Sequence, residues 1–266
     1  MPACPLEPVP ICPSLRCLFC SRLHPGRLKV MLKDLDLDYV DLVMMHVPRR
    51  NFGLWPGLLP NFDKVFEWDD EHQGYAYMPG SFWPGHEDKD FKSYGCETVT
   101  QCRQQTWKAL SDARDQGLVK EIGVSNFRIY QMRELMRMMV APIAVNQIAF
   151  HPWAPESQRQ IVEFCQKNNI AVTAYTSLGG AQEKVKAISA PAIQEIAAAH
   201  KRSPALVLQR WAIQKNISVI PGSGNPTHMK ENLEVFGFQL SAEDMTRLDA
   251  LSQYPILTSI PDFLNQ

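Results

Sequence analysis

Five short apolar runs, each closing on polar or aromatic side chains, constrain the fold of this chain more than any other feature of its sequence. They are Tyr39-Val40-Asp41-Leu42-Val43-Met44-Met45-His46, Ile122-Gly123-Val124-Ser125-Asn126-Phe127, Ala144-Val145-Asn146-Gln147, Ala171-Val172-Thr173-Ala174-Tyr175 and Ser218-Val219-Ile220-Pro221-Gly222-Ser223. Segments of helical spacing lie between them. Short buried strands alternating with helices predict βα units around a parallel sheet.

The helices are legible. Trp107, Leu110 and Ala113 fall on one face of a helix over 101–116, and Gly117 follows where a left-handed cap is expected. A second helix, over 156–167, carries Ile161, Phe164 and Cys165 on one face, and 191–200 and 204–214 turn Ala, Leu, Val and Trp211 inward. Asn225 before Pro226 reads as an N-cap followed by proline at the first helical position. Ser241-Ala242-Glu243-Asp244 is a capping signal opening a helix over 241–251.

A chain of 266 residues can bury one large core. Its net charge of −1 offers no basic face, which argues against nucleic acid or an acidic membrane as partner. No apolar run approaches the roughly 18 residues of a membrane span, and the proline-broken start lacks the features of a signal peptide. The expectation is a soluble, cytoplasmic protein acting on a small molecule. Seven cysteines is an odd number, and the scatter of Cys96, Cys102 and Cys165 suits reduced thiols. Cys12, Cys17, Cys20 and His24 have spacings that could ligate zinc, but the segment is proline-rich and lacks a second knuckle-like pair, so a disordered tail is expected there and no metal.

The segment Leu35-Asp36-Leu37-Asp38-Tyr39-Val40-Asp41-Leu42 ending in His46-Val47-Pro48, followed by Gly123 to Phe127, by Val145-Asn146-Gln147 to His151-Pro152, and by Ile220-Pro221-Gly222-Ser223, resembles the aldo-keto reductase family. The resemblance covers 28–266. It implies an α/β fold of the (β/α)8 TIM-barrel type, of which about five of the eight βα units are recognisable here. In such barrels the loops at the C-terminal strand ends build the active site, so His46, Ser125, Asn126, Gln147, Tyr175 and Ser223 are expected to converge. The implied activity is reduction of aldehydes and ketones to alcohols with NADPH or NADH.

By the same resemblance His46 orients the substrate carbonyl, Ser125, Asn126 and Gln147 bind the nicotinamide carboxamide, and Tyr175 stacks on the nicotinamide ring. Thr176, Ser177 and Leu178 continue into the loop lining the pyrophosphate. Ser223 and His228 fall at the adenosine phosphate, and Glu231 and Asn232 at the adenine. Read from residues alone, His46 and Tyr175 are equally strand-end core groups, and Ser125 or Asn126 an N-cap for a helix near Ile129.

The sequence departs from the family in three places. Nothing before Leu28 resembles the three further βα units that carry the family's acid tyrosine with its aspartate and lysine, so an N-terminally incomplete member is implied, with residues 1–27 unmatched. Gly222 and His228 stand where many members have lysine and arginine, which removes two fixed charges from the NADP 2′-phosphate. An insertion at about 49–100, rich in aromatics, proline and glycine, follows the His46 strand and is expected to be less ordered than the βα units. The alternative to a reductase is a catalytically inactive relative that binds nucleotide or a protein partner.

Overall fold

The computed structural model describes residues 25–46, 66–69, 74–77, 98–179 and 188–253. The cysteine-rich start and most of the 49–100 insertion lie outside the described residues. Two compact units divide the chain: Met1–Asp69, Ala76–Gly123 and Tyr130–Pro142 form one, and Asp70–Tyr75, Val124–Ile129 and Ile143–Gln266 the other.

In the first unit, helix α1 (Pro25–Asp34) buries Leu28 and Leu32, one turn apart. Strand β1 (Val40–Met45) follows. Within the insertion, β2 (Phe66–Asp69) and β3 (Gly74–Tyr77) pair as a two-stranded sheet. That pairing was not legible as periodicity, because four residues per strand are too few to establish an alternation. Helix α2 (Val99–Asp115) starts earlier than its apolar spacing suggests, because Thr98 caps it by accepting from the Gln101 amide at 3.1 Å. Gly117 takes φ +73° just past its end. Trp107, Leu110 and Ala113 are all buried, and Arg103, 6 % exposed, is paired with Glu134 of α3 (Ile129–Arg137). Strand β1 lies beside β4 (Val119–Ser125), whose residues to Gly123 belong to this unit.

In the second unit the end of β4 pairs parallel with β5 (Val145–Ala149), β5 with β6 (Ala171–Tyr175) and β6 with β7 (Ser218–Val219). The register sets Ser125 opposite Gln147 and Ala149 opposite Tyr175. Helices α4 (Glu156–Lys167), α5 (Pro191–His200) and α6 (Pro204–Gln214) hold the expected bounds. On α4 the buried face is Ile161, Val162 and Cys165, with Phe164 only half-buried. Strand β7 stops at Val219 rather than running on to Ser223: Pro221 brings no amide hydrogen to a ladder. Helix α7 (Pro226–Asn232) is capped by Asn225, whose Oδ1 accepts from the Thr227 amide at 2.9 Å. Helix α8 (Ala242–Asp249) opens on a capping box between Ser241 and Asp244, and a 3-10 turn replaces the last turn expected of it.

The core of this unit holds Trp153 and Trp211 at 0 % exposure, and Phe150 stacks on Trp211 at 5.2 Å between ring centres. Each such side chain contributes about 2–3 kcal/mol by leaving water. Asp249 ties three helices together, accepting from Trp211 Nε1 at 2.8 Å and Lys215 Nζ at 2.9 Å and pairing with Arg159 at 3.7 Å. Cys165 is a buried free thiol, as expected. Cys102 is instead disulfide-bonded, its partner lying outside the described residues. An odd number of cysteines requires one unpaired thiol, not that all be unpaired.

Candidate active site

Strands β4, β5 and β6 run side by side, and Ser125, Asn126, Gln147 and Tyr175 at or near their ends form one hydrogen-bond chain. The Ser125 hydroxyl donates to the Gln147 carbonyl at 2.8 Å, closing the β4–β5 ladder that the Asn126 amide continues to the same oxygen at 2.9 Å. Asn126 Nδ2 donates to Ser125 Oγ at 3.1 Å, and the Tyr175 hydroxyl donates to Asn126 Oδ1 at 2.6 Å. Both ends of the Asn126 amide are therefore held. Burial pushes the Tyr175 phenol up to about 12, against a smaller opposing effect of the Ala149 backbone, so it is a neutral donor throughout the ordinary pH range.

Backbone conformation sharpens the same strand ends. Asn126 has φ +60°, a left-handed conformation that asparagine tolerates better than most residues. Thr176, one residue past β6, has φ +51°, where a β-branched side chain is strained by roughly 1–3 kcal/mol. Its carbonyl accepts from the Gly179 amide at 2.7 Å, which closes the turn carrying Leu178. Gly180 lies outside the described residues.

One neighbour that the sequence did not single out for the site pins this geometry. Asn146 is 0 % exposed, donates from Nδ2 to the Phe127 carbonyl at 2.9 Å and accepts from the Phe127 amide at 3.4 Å. It fixes the chain leaving β4, so the adjacent Gln147, and not Asn146, presents the half-buried side chain. An asparagine inside an otherwise apolar strand is the signal that could have found it, since a buried amide needs partners.

The second group sits around α7. Ser223 is half-buried and its Oγ accepts from the Asn225 amide at 3.1 Å. His228 is exposed; Glu231 and Asn232 are half-buried, and Asn232 Oδ1 accepts from Gln209 Nε2 at 2.8 Å. A Cβ added at Gly222 meets nothing within 4 Å. In the first unit His46 follows β1 directly and is exposed. Ser125, Asn126, the Gln147 carbonyl and Tyr175 are thus brought together, and Ser223, His228, Glu231 and Asn232 form a set on and before α7.

The sequence model of the Aldo/keto reductase family matches residues 26–253 of this chain. The chain belongs to that family. Its fold is the family's TIM-barrel type, here with a parallel-strand α/β sheet. Aldo-keto reductase family 1 member A1 of Bos taurus is 31 % identical over 249 residues, covering 89 % of this chain and 66 % of its own length. An NAD(P)H-dependent D-xylose reductase of Candida tropicalis is 36 % identical over 230 residues, covering 83 % and 63 %. Among solved structures, an aldose reductase from Giardia lamblia superposes with a TM-score of 0.62 at 28 % identity, covering 88 % of this chain and 68 % of that one. The chain spans about two thirds of the length of the curated relatives it matches.

This aldo/keto reductase chain has a donor set that fits a nicotinamide. A primary carboxamide presents one carbonyl acceptor and two N–H donors, and the hydroxyl, amide and amide of Ser125, Asn126 and Gln147 offer both kinds. The adjacent Tyr175 supplies an aromatic face. Among the described residues no group of histidine, cysteine and carboxylate side chains could hold a metal ion, and no helix is long and apolar enough to cross a membrane.

Proposed function

We propose that this chain binds NADPH or NADH and takes part in reducing the carbonyl of an aldehyde or ketone. The observation that carries the proposal is the hydrogen-bonded set Tyr175, Asn126, Ser125 at the ends of β4 and β6. When bound, the nicotinamide supplies a hydride. The chain's part would be to orient that ring: Ser125, Asn126 and Gln147 would hold its carboxamide, and Tyr175 would offer it an aromatic face. Thr176 and Leu178 would line the pyrophosphate, and Ser223, His228, Glu231 and Asn232 would hold the adenosine end. His46 would donate to the carbonyl oxygen of the substrate, where negative charge develops during reduction. The substrate is a small molecule.

The test is a titration of the chain with NADPH and with NADH, following cofactor fluorescence. Micromolar binding that Tyr175→Ala weakens by tenfold or more supports the reading; folded protein that binds neither cofactor sinks it. A second reading is a relative that binds the nucleotide without turnover. Binding without NADPH oxidation in the presence of an activated aromatic aldehyde would decide for it.

A further inference from the structure

Gln209 lies in the middle of α6 among the buried Leu206, Val207, Leu208, Trp211 and Ala212, and is itself 1 % exposed. Its Nε2 donates to Asn232 Oδ1 at 2.8 Å, while its Oε1 is buried with no hydrogen-bond partner among the described residues. A buried amide oxygen left unpaired is a cost that an apolar side chain of the same shape would not carry. Packing therefore does not explain the residue. What it does is hold one end of the Asn232 amide, from a largely buried helix, on a helix that is mostly exposed.

We propose that Gln209 is a positioning residue for base recognition: by occupying the Asn232 oxygen it leaves Asn232 Nδ2 as the end that meets a bound base. This rests on the reading of Asn232 as a contact to the adenine of a nicotinamide dinucleotide. Fixed in that sense, Asn232 is a donor, and its neighbour Glu231 is an acceptor. A donor beside an acceptor complements adenine, which presents a ring nitrogen next to an exocyclic amine. Without Gln209 the Asn232 amide is free to turn its oxygen toward the ring nitrogen, setting acceptor against acceptor. Gln209 touches no ligand in this account and acts only through Asn232.

The experiment uses the full chain and the variants Gln209→Leu, Asn232→Ala and the double substitution, each titrated with NADPH, NADH and reduced nicotinamide mononucleotide, which lacks the adenosine. Gln209→Leu is expected to weaken both dinucleotides about three- to tenfold, the loss of one oriented hydrogen bond. It should leave the mononucleotide unchanged, leave the melting temperature unchanged or higher, and add nothing in the Asn232→Ala background. Gln209→Met, matched in length and without a donor, replaces the leucine variant should that fail to fold. Dinucleotide binding equal to wild type overturns the proposal. So does an equal loss with the mononucleotide or in the Asn232→Ala background, either of which marks a structural role. A wild-type chain that binds neither dinucleotide nor mononucleotide overturns instead the nicotinamide reading, and this one with it.

Discussion

The Tyr175 hydroxyl donates to Asn126 Oδ1 across 2.6 Å, joining residues 49 apart in sequence at the ends of two strands separated by β5. The family resemblance gives Tyr175 a role through its ring; this contact gives its oxygen one as well. Asn126, pinned at Oδ1 by the phenol and at Nδ2 by Ser125, holds one amide orientation.

The oxygen and the ring are separable by substitution. Tyr175→Phe keeps the aromatic face and removes the donor, so NADPH binding should weaken roughly three- to tenfold, about 1 kcal/mol, with a larger loss for Tyr175→Ala. Because burial holds the phenol at about 12, wild-type binding should show no Tyr175 titration between pH 7 and 10. Fluorescence titrations at several pH values check both statements; a loss of binding near pH 9 that Tyr175→Phe abolishes would contradict the second.

In the proposed binding mode Gly222 and His228 offer the 2′-phosphate of NADP no permanent cation, so the wild-type chain should discriminate weakly between NADPH and NADH. A Cβ added at Gly222 meets nothing within 4 Å, so a side chain can start there. Gly222→Lys together with His228→Arg should tighten NADPH by about tenfold and leave NADH nearly unchanged, the effect of one or two charge-assisted contacts. Increasing salt should erase the gain. An unchanged NADPH to NADH ratio would place the phosphate elsewhere.

His151 makes acid stability measurable. It is 2 % exposed, its Nδ1 has no hydrogen-bond partner among the described residues, and burial, helped by the nearby Arg159 charge, lowers its pKa from 6.5 to about 3. The unfolded chain thus takes up a proton near pH 6.5 that the folded chain refuses. Stability from this source is fully present above 6.5 and is lost as pH falls toward 3, by about 4–5 kcal/mol in all. His151→Phe should flatten the denaturant midpoint between pH 6 and 4, and an unchanged slope would contradict this.

Asp244 works in the same direction at lower pH. Partial burial opposes its ionisation, but hydrogen bonds from His200 and from Ser241 outweigh it and hold the carboxyl below its usual range. A depressed pKa means the contribution is present above about 3.8 and is lost as pH falls below it. Asp244→Asn should cost about 1 kcal/mol at neutral pH, through the capping box, and the difference from wild type should shrink below pH 4. Urea melts at pH 7 and pH 3.5 would show it.

His46 is the donor assigned to the developing oxyanion, and removing one such donor costs about 10²–10³ in rate. NADPH oxidation with an activated aromatic aldehyde is therefore expected to fall by that factor in His46→Ala. An unchanged rate would remove His46 from the role.

The strand-and-helix order was open to reading from the sequence because its signals are local. The bounds of α4, α5 and α6 follow from apolar spacing and from Pro191 and Pro204 at their first turns, and the start of α8 from Ser241 and Asp244. The site residues on strand ends were legible for the same reason, since a short apolar run ending in Ser-Asn or Tyr marks its own C-terminal end. What chain order could not encode was partnership. Nothing near Gln209 in sequence says that its amide reaches Asn232, 23 residues on, or that Asn146 serves Phe127 while Gln147 keeps a half-buried side chain. Where β7 ends, and that Cys102 is disulfide-bonded, were likewise settled in three dimensions. Hydrogen bonds between side chains far apart in sequence depend on which elements the fold packs together. The sequence of this chain therefore determined its elements and its family, and the tertiary structure alone decided which polar groups within them are locked and which remain free to bind.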